Sequence, residues 1–307
     1  MTAAPPVVAV VGPTATGKTA LAVELARRLD GEVVNADSMQ LYRGMDIGTA
    51  KPDLAERGGV PHHLLDLWHV RKPASVAEYR EAARAEIDRL RAAGVVPLLV
   101  GGSGLYVRAV LDELDFPGTD AAVRARLEGE LADLGAAELH ARLARLDPDA
   151  AAVVLPSNGR RIVRALEVIE LTGGPFRAQL PEPRPHYPVV PIGLDRAPAE
   201  LDERLALRVD RMWAAGFVAE VERLAADGLR DGPTASRALG YAQVLAQFDG
   251  LLTADEARER TVSTTRRFVR RQRSWFRRDA ALTWFDAGRA DLVDAVGAEI
   301  TARTIAS

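Results

Sequence analysis

Val7–Val11 runs directly into Gly12-Pro-Thr-Ala-Thr-Gly-Lys-Thr19, and Leu21, Leu25 and Leu29 then recur at helical spacing. A buried strand, a Gly-x-x-x-x-Gly-Lys-Thr loop and a helix, in that order, form a P-loop. That constrains the chain more than any other feature, because the motif belongs to parallel α/β sheets. Its chemistry follows from the residue types. The glycines let backbone N–H groups turn inward around phosphate oxygens, and the helix N-terminus adds partial positive charge. Gly12, Pro13, Thr14, Ala15, Thr16, Gly17, Lys18 and Thr19 are therefore the expected cradle for a diphosphate or triphosphate. Lys18 supplies a slim point charge and Thr19 a hydroxyl for Mg²⁺. The chain holds three lysines against 37 arginines, so a retained lysine marks a place that the broad guanidinium does not fill.

Strand–helix alternation continues to about residue 115. Val33–Val34 reads as a second strand ending near Asp37. Ser75-Val-Ala-Glu78 is a capping box that opens a helix, and Gly94 stops it. Val95–Val100 reads as a further buried strand ending in Gly101-Gly102. The stripes Val123–Leu134, Leu139–Leu146 and Ile162–Ile169 are then helical, with no strand between them. Val189–Leu194 returns to the sheet, a second capping box at Thr253 starts a helix to about Arg278, and Trp284-Phe285 forms a last strand. The expected fold is α/β: a P-loop NTPase-like parallel sheet core, an all-helical insertion and a helical C-terminal part. The boundaries are 1–114, 115–188 and 189–307.

Absent residue types narrow the chemistry. With no cysteine there is no disulfide, thiolate metal site or cysteine nucleophile. His62-His63 is a weak metal pair and reads as structural or near a site mouth. No apolar run is long enough to span a membrane, and no leader is evident, which points to the cytoplasm. Net charge is −3, so the chain as a whole is not a nucleic-acid binder by composition. Local charge differs. Thr261–Arg278 holds seven arginines and no acid, interleaved with Phe268, Trp275 and Phe276, and Arg160, Arg161 and Arg164 form a second cluster. Arginine pairs with phosphates and stacks on splayed bases, so both clusters are RNA candidates; the alternative is a solvated or ion-paired helix face.

A P-loop does not specify the reaction. The strand Val95–Val100 ends in Gly-Gly-Ser, where an ATPase needs an acid for Mg²⁺. The nearest acid is Asp37. Its strand is expected beside the first, facing it to the phosphates, where it binds Mg²⁺ through water or takes a proton from an acceptor. An Asx turn is the other reading of that residue.

Together with the P-loop, Asp37-Ser-Met-Gln-Leu-Tyr42, Gly44-Met-Asp-Ile-Gly-Thr-Ala-Lys-Pro52, His62-His-Leu-Leu-Asp66, Gly101-Gly-Ser-Gly-Leu-Tyr106, Arg161–Glu167 and Gly240-Tyr241 occur in order. In these motifs the chain resembles the bacterial tRNA dimethylallyltransferase (tRNA isopentenyltransferase) family over nearly its whole length. The resemblance implies that the P-loop holds dimethylallyl diphosphate, with Mg²⁺. The five-carbon unit then moves to N6 of the adenosine just 3′ of the anticodon, position 37 of tRNA. It implies Asp37 as acceptor of the N6 proton, with Lys18, Thr19 and Ser103 also catalytic. Arg208, or else Arg204, would brace the diphosphate. Asp37, Ser38, Met39, Gln40 and Ser103 would receive the flipped base. Arg124, Arg160, Arg161, Ile162, Val163, Arg164, Arg237, Gly240 and Tyr241 would touch the tRNA. Ser103 stands where the family often has threonine, and Ala242 where a basic residue is frequent. The implied protein is a cytoplasmic monomer with no membrane partner. The rivals are a small-molecule P-loop kinase, prenyl transfer to free AMP, and a non-catalytic RNA-binding P-loop protein.

Overall fold

A computed structural model describes residues 4–178 and 181–306. The chain divides into two compact units, Met1–Asp112 with Pro185–Ser307, and Glu113–Arg184. The expected insertion, 115–188, thus starts two residues and ends four residues late. Ahead of 188, His186 already donates its N–H to Leu111 O at 2.7 Å, and Tyr187 is buried in the sheet unit's core.

Among the described residues, six parallel strands build the sheet unit: β1 (Val7–Val11), β2 (Gly31–Asn35), β3 (His62–His63), β4 (Val96–Gly101), β5 (Val189–Asp195) and β6 (Thr283–Asp286), in the order β3-β2-β4-β1-β5-β6. Helices α1 (Lys18–Leu29), α2 (Leu54–Arg57), α3 (Val76–Ala92) and α4 (Gly104–Leu111) belong to its first part. β1 is wholly buried between β4 and β5, which explains its unbroken apolar run. One expectation fails here. β2 does not neighbour β1; it pairs with β4 and β3, so Asp37 reaches the phosphate loop across β4. Gly12 has φ +144°, and a Cβ there would sit 2.2 Å from Leu194 O of β5, so only glycine lets the loop leave the sheet at this point. In α3 only half of the expected capping box forms: Ser75 Oγ accepts from Glu78 N at 3.2 Å, while the Glu78 carboxylate pairs with Lys72. His62 and His63 form the edge strand. His63 sits between Glu32 (2.6 Å) and Glu86 (3.0 Å), which makes it structural, and among the described residues no metal-holding cluster exists.

The second unit is helical: α5 (Ala121–Leu146), broken at Gly135, α6 (Pro148–Val153) and α7 (Gly159–Thr172). Leu127, Leu139, Leu143, Ile162, Val163 and Leu166 form its core. Within it the carboxylate of Glu167 is fully buried and is held by Thr119, Arg124 and Arg164. Burial alone raises its pKa, but hydrogen bonds from these three residues outweigh it and bring the group down to about 2. A carboxylate depressed in the folded state contributes stability above the unfolded value and loses it as pH falls toward the folded one. The wild-type thermal midpoint should therefore decline between pH 4.5 and 2 through this group, and Glu167→Gln should flatten that limb. The variant should lose about 1–3 kcal/mol near neutrality. Thermal melts of both proteins across that range, with urea melts near neutrality for the loss in stability, check it.

After β5 the sheet unit continues with α8 (Pro198–Ala214), α9 (Phe217–Ala226), α10 (Tyr241–Phe248), α11 (Ala254–Phe276) and α12 (Leu292–Ala306). The capping box at Thr253 is complete, and α11 packs against α8 and α10. Residues of these three helices share a cavity with Thr14, Asp37 and Ser103, which follow β1, β2 and β4.

Candidate active site

The P-loop turns between β1 and α1 with Ala15 at φ +67°. Ala15 packs on Leu201, Leu205 and Val269, so α8 and α11 hold the loop in a conformation that a non-glycine residue rarely adopts. Arg204 Nε donates to Ala15 O at 3.0 Å, and Arg208 Nη1 donates to Thr14 Oγ1 at 2.9 Å. Both arginines named from the sequence thus reach the loop; Arg208 also faces the cavity. The Thr14 amide is not open to a ligand. It donates to Gln272 Oε1 at 3.0 Å. Pro13 has no N–H, which leaves the amides from Ala15 onward for phosphate. Lys18 Nζ, in the half-buried turn below, donates to Pro13 O at 2.7 Å. Burial pushes this ammonium down to about 8; Asp37 opposes the shift and Arg208 adds to it.

Asp37 follows β2 in a turn fixed by Asn35. That buried side chain accepts from Asp37 N at 2.9 Å and donates to Asp37 O and Leu64 O, each at 3.1 Å. Asp37 Oδ1 accepts from Met39 N at 3.0 Å. The Asx turn and the chemical candidate are therefore the same residue, because one carboxylate oxygen closes the turn and the other remains for a ligand. Ser103 Oγ accepts from Ser38 N at 3.1 Å and bonds Ser38 Oγ at 3.2 Å, which joins this turn to the end of β4.

A cavity of about 290 Å³ lies where these parts meet. Thr14, Asp37, Ser38, Met39, Ser103, Arg208, Arg237 and Tyr241, all named from the sequence, line it. Gly48 and Thr49 of the Gly44–Pro52 motif, Leu205, Val209 and Met212 of α8, Ala238 and Leu239, and Thr261, Thr265, Phe268 and Arg271 of α11 complete it. The sequence offered signals for some of these: the α8 stripe, and an aromatic among arginines. What lay beyond sequence is that both helices turn those residues toward one space. Tyr241 is fully buried, and its hydroxyl donates to Glu220 at 2.6 Å, so it shapes the wall from beneath. Gly240 caps α10 and is buried against Phe217, so it cannot touch tRNA as expected; Gln40 donates to Thr49 O and Ala50 O, and neither residue lines the cavity.

The other candidates lie in the helical unit. Ile162 and Val163 are core residues there, so their side chains cannot touch RNA; a sequence stretch of five had hidden which face was buried. Arg124 and Arg164 are engaged with Glu167, and Arg161 donates to Ala178 O. Arg160 is exposed. In α11, Arg266 pairs with Asp202, and Arg273 and Arg277 pair with Asp195, while Arg271 lies 5.8 Å from the Phe268 ring centroid at the cavity. Part of that arginine run is thus an ion-paired face.

Residues 40–279 match the family described as IPP transferase. The chain is 68% identical over 291 residues to the tRNA dimethylallyltransferase of Salinispora arenicola, covering 95% of this chain and 85% of that one. It resembles the crystal structure of the full-length tRNA isopentenylpyrophosphate transferase of Bacillus halodurans at a TM-score of 0.74 and 40% identity, over 98% and 97% of the two chains. A eukaryotic dimethylallyltransferase acting on tRNA, at 24% identity, shares the fold with a TM-score of 0.79 over 96% of this chain and 77% of that one. The chain belongs to the IPP transferase family.

Proposed function

We propose that this protein transfers a dimethylallyl group from dimethylallyl diphosphate to N6 of the adenosine 3′-adjacent to the anticodon of tRNA, position 37, and releases diphosphate. The observation that carries the reading is the cavity, where one carboxylate, the half-buried guanidinium of Arg208 bonded to the phosphate loop and an apolar wall face one another. The wall from Leu205, Val209 and Met212 suits a five-carbon chain. Amides from Ala15 onward, Lys18 and Arg208 bind the diphosphate and take up the charge that develops as the carbon–oxygen bond breaks. A carbon–nitrogen bond forms at N6, and the N6 proton passes to Asp37. Ser38, Met39 and Ser103 receive a base taken out of its stack.

Mg²⁺ fits the residues present. Thr19 offers a hard hydroxyl oxygen, and no cluster of three metal-binding side chains exists among the described residues. An ion here would take its other ligands from phosphate oxygens and water, the coordination Mg²⁺ favours. When bound, it would neutralise the leaving diphosphate.

We assign tRNA contact to Arg237 and Arg271, which line the cavity, and to Arg160 and Arg161 of the helical unit; Arg124 and Arg164 hold that unit together. The protein acts in the cytoplasm as a monomer, with no membrane partner. No helix among the described residues is long and apolar enough to cross a membrane. Arg160→Ala with Arg161→Ala should raise KM for tRNA and leave KM for dimethylallyl diphosphate nearly unchanged. The slope of log K against log salt should become shallower by about 0.7–0.9 per lost phosphate contact. Equal slopes in a folded double variant would move recognition to α11. The function itself is tested by offering labelled dimethylallyl diphosphate with either an unmodified tRNA transcript or free AMP: label should appear in tRNA alone. Label in AMP, or in neither acceptor, would reject the proposal.

A further inference from the structure

Gln272 interrupts the arginine run of α11, and its side chain is buried. Both ends of its amide are used. Oε1 accepts from Thr14 N at 3.0 Å, and Nε2 donates to Gly102 O at 2.8 Å. Only one orientation of the amide satisfies both partners, since the first is a donor and the second an acceptor. Gly102 is shaped for the contact: a Cβ there would lie 2.4 Å from Nε2.

The two partners lead to different parts of the cavity lining, Thr14 itself and Ser103. Thr14 is in the phosphate loop and holds Arg208 through its hydroxyl. Gly102 precedes Ser103, which grips Ser38 beside Asp37. We infer that Gln272 is a positioning residue that sets the distance between the diphosphate cradle and the acceptor side of the cavity. It touches neither substrate. Each substrate binds through other groups, so the effect of Gln272 falls on the step that needs both in register. A misplacement of about 1 Å costs on the order of 10²-fold in rate.

This rests on the transferase reading, and the test separates the two. Gln272→Met keeps the length and burial but makes neither hydrogen bond. It should lower kcat about 10- to 100-fold, while KM for tRNA, KM for dimethylallyl diphosphate and the affinity for inorganic diphosphate with Mg²⁺ each stay within about threefold. Gln272→Glu gives a second readout. Its ionised carboxylate still accepts from Thr14 N but opposes Gly102 O, whereas the protonated acid restores a donor. The ratio of its kcat to wild type should therefore rise as pH falls, and the ratio for Gln272→Met should stay flat. All assays are run well below the melting temperature of each variant. Wild-type kcat in folded Gln272→Met overturns the inference. So does a loss confined to diphosphate affinity, or a flat pH ratio for Gln272→Glu. A wild-type protein that makes no prenylated tRNA overturns the transferase reading instead.

Discussion

Lys18→Met should lower kcat/KM for prenyl transfer by about 10²–10³, the range for removing one donor to a developing oxyanion, and should make the protein more stable. The two effects have one cause. Lys18 is held at about 8 against an unperturbed 10.5, chiefly by burial. The folded state at pH 7 therefore keeps a charge it has partly desolvated, at a cost of up to about 3 kcal/mol. Between pH 8 and 10.5 the unfolded chain binds more protons than the native one, so wild-type stability from this group rises with pH. Methionine removes that dependence. The gain in melting temperature of the variant should be largest at or below pH 8 and should shrink toward zero by pH 10.5. A lysine that stabilised the fold would give the opposite sign. Melts across that range, beside single-turnover transfer assays, decide it.

The second large effect belongs to Asp37. Asp37→Ala should reduce kcat by about 10²–10⁴, the span expected when a general base is lost, with tRNA affinity nearly unchanged. Because Oδ1 also closes the turn onto Met39 N, Asp37→Asn is the cleaner variant. Its side-chain oxygen can still accept that bond, but it cannot take the N6 proton. Near-normal kcat in Asp37→Asn would reassign the residue to the turn alone.

Most of the sheet is legible in sequence because its strands are buried on both faces, as β1, β4 and β5 are. His62–His63 is not, because two polar residues at a sheet edge carry no period. Strand order is not legible either. Nothing local in Val33–Asp37 says that β4 lies between β2 and β1. Motif residues of the site are readable where backbone chemistry demands a type, as at Gly12, Lys18 and Asp37. The cavity wall is not, because Leu205, Val209 and Met212 look like any core stripe. The arginines of α11 illustrate the same limit: their partners Asp195 and Asp202 stand 78 and 64 residues away in the chain. Charge clustering was visible, while its internal pairing required the fold. Nothing local in the sequence marks Gln272, because its two backbone partners are 258 and 170 residues distant.

On the proposed function, this cavity joins a diphosphate donor to an adenosine of tRNA. The most direct test incubates the protein with dimethylallyl diphosphate, Mg²⁺ and an unmodified tRNA transcript bearing adenosine next to the anticodon. Nucleosides are then analysed by mass spectrometry and released diphosphate is counted. The expected products are N6-isopentenyladenosine at that single position and one diphosphate per modified tRNA. Diphosphate released without a modified nucleoside, or prenylation elsewhere in the tRNA, would contradict it.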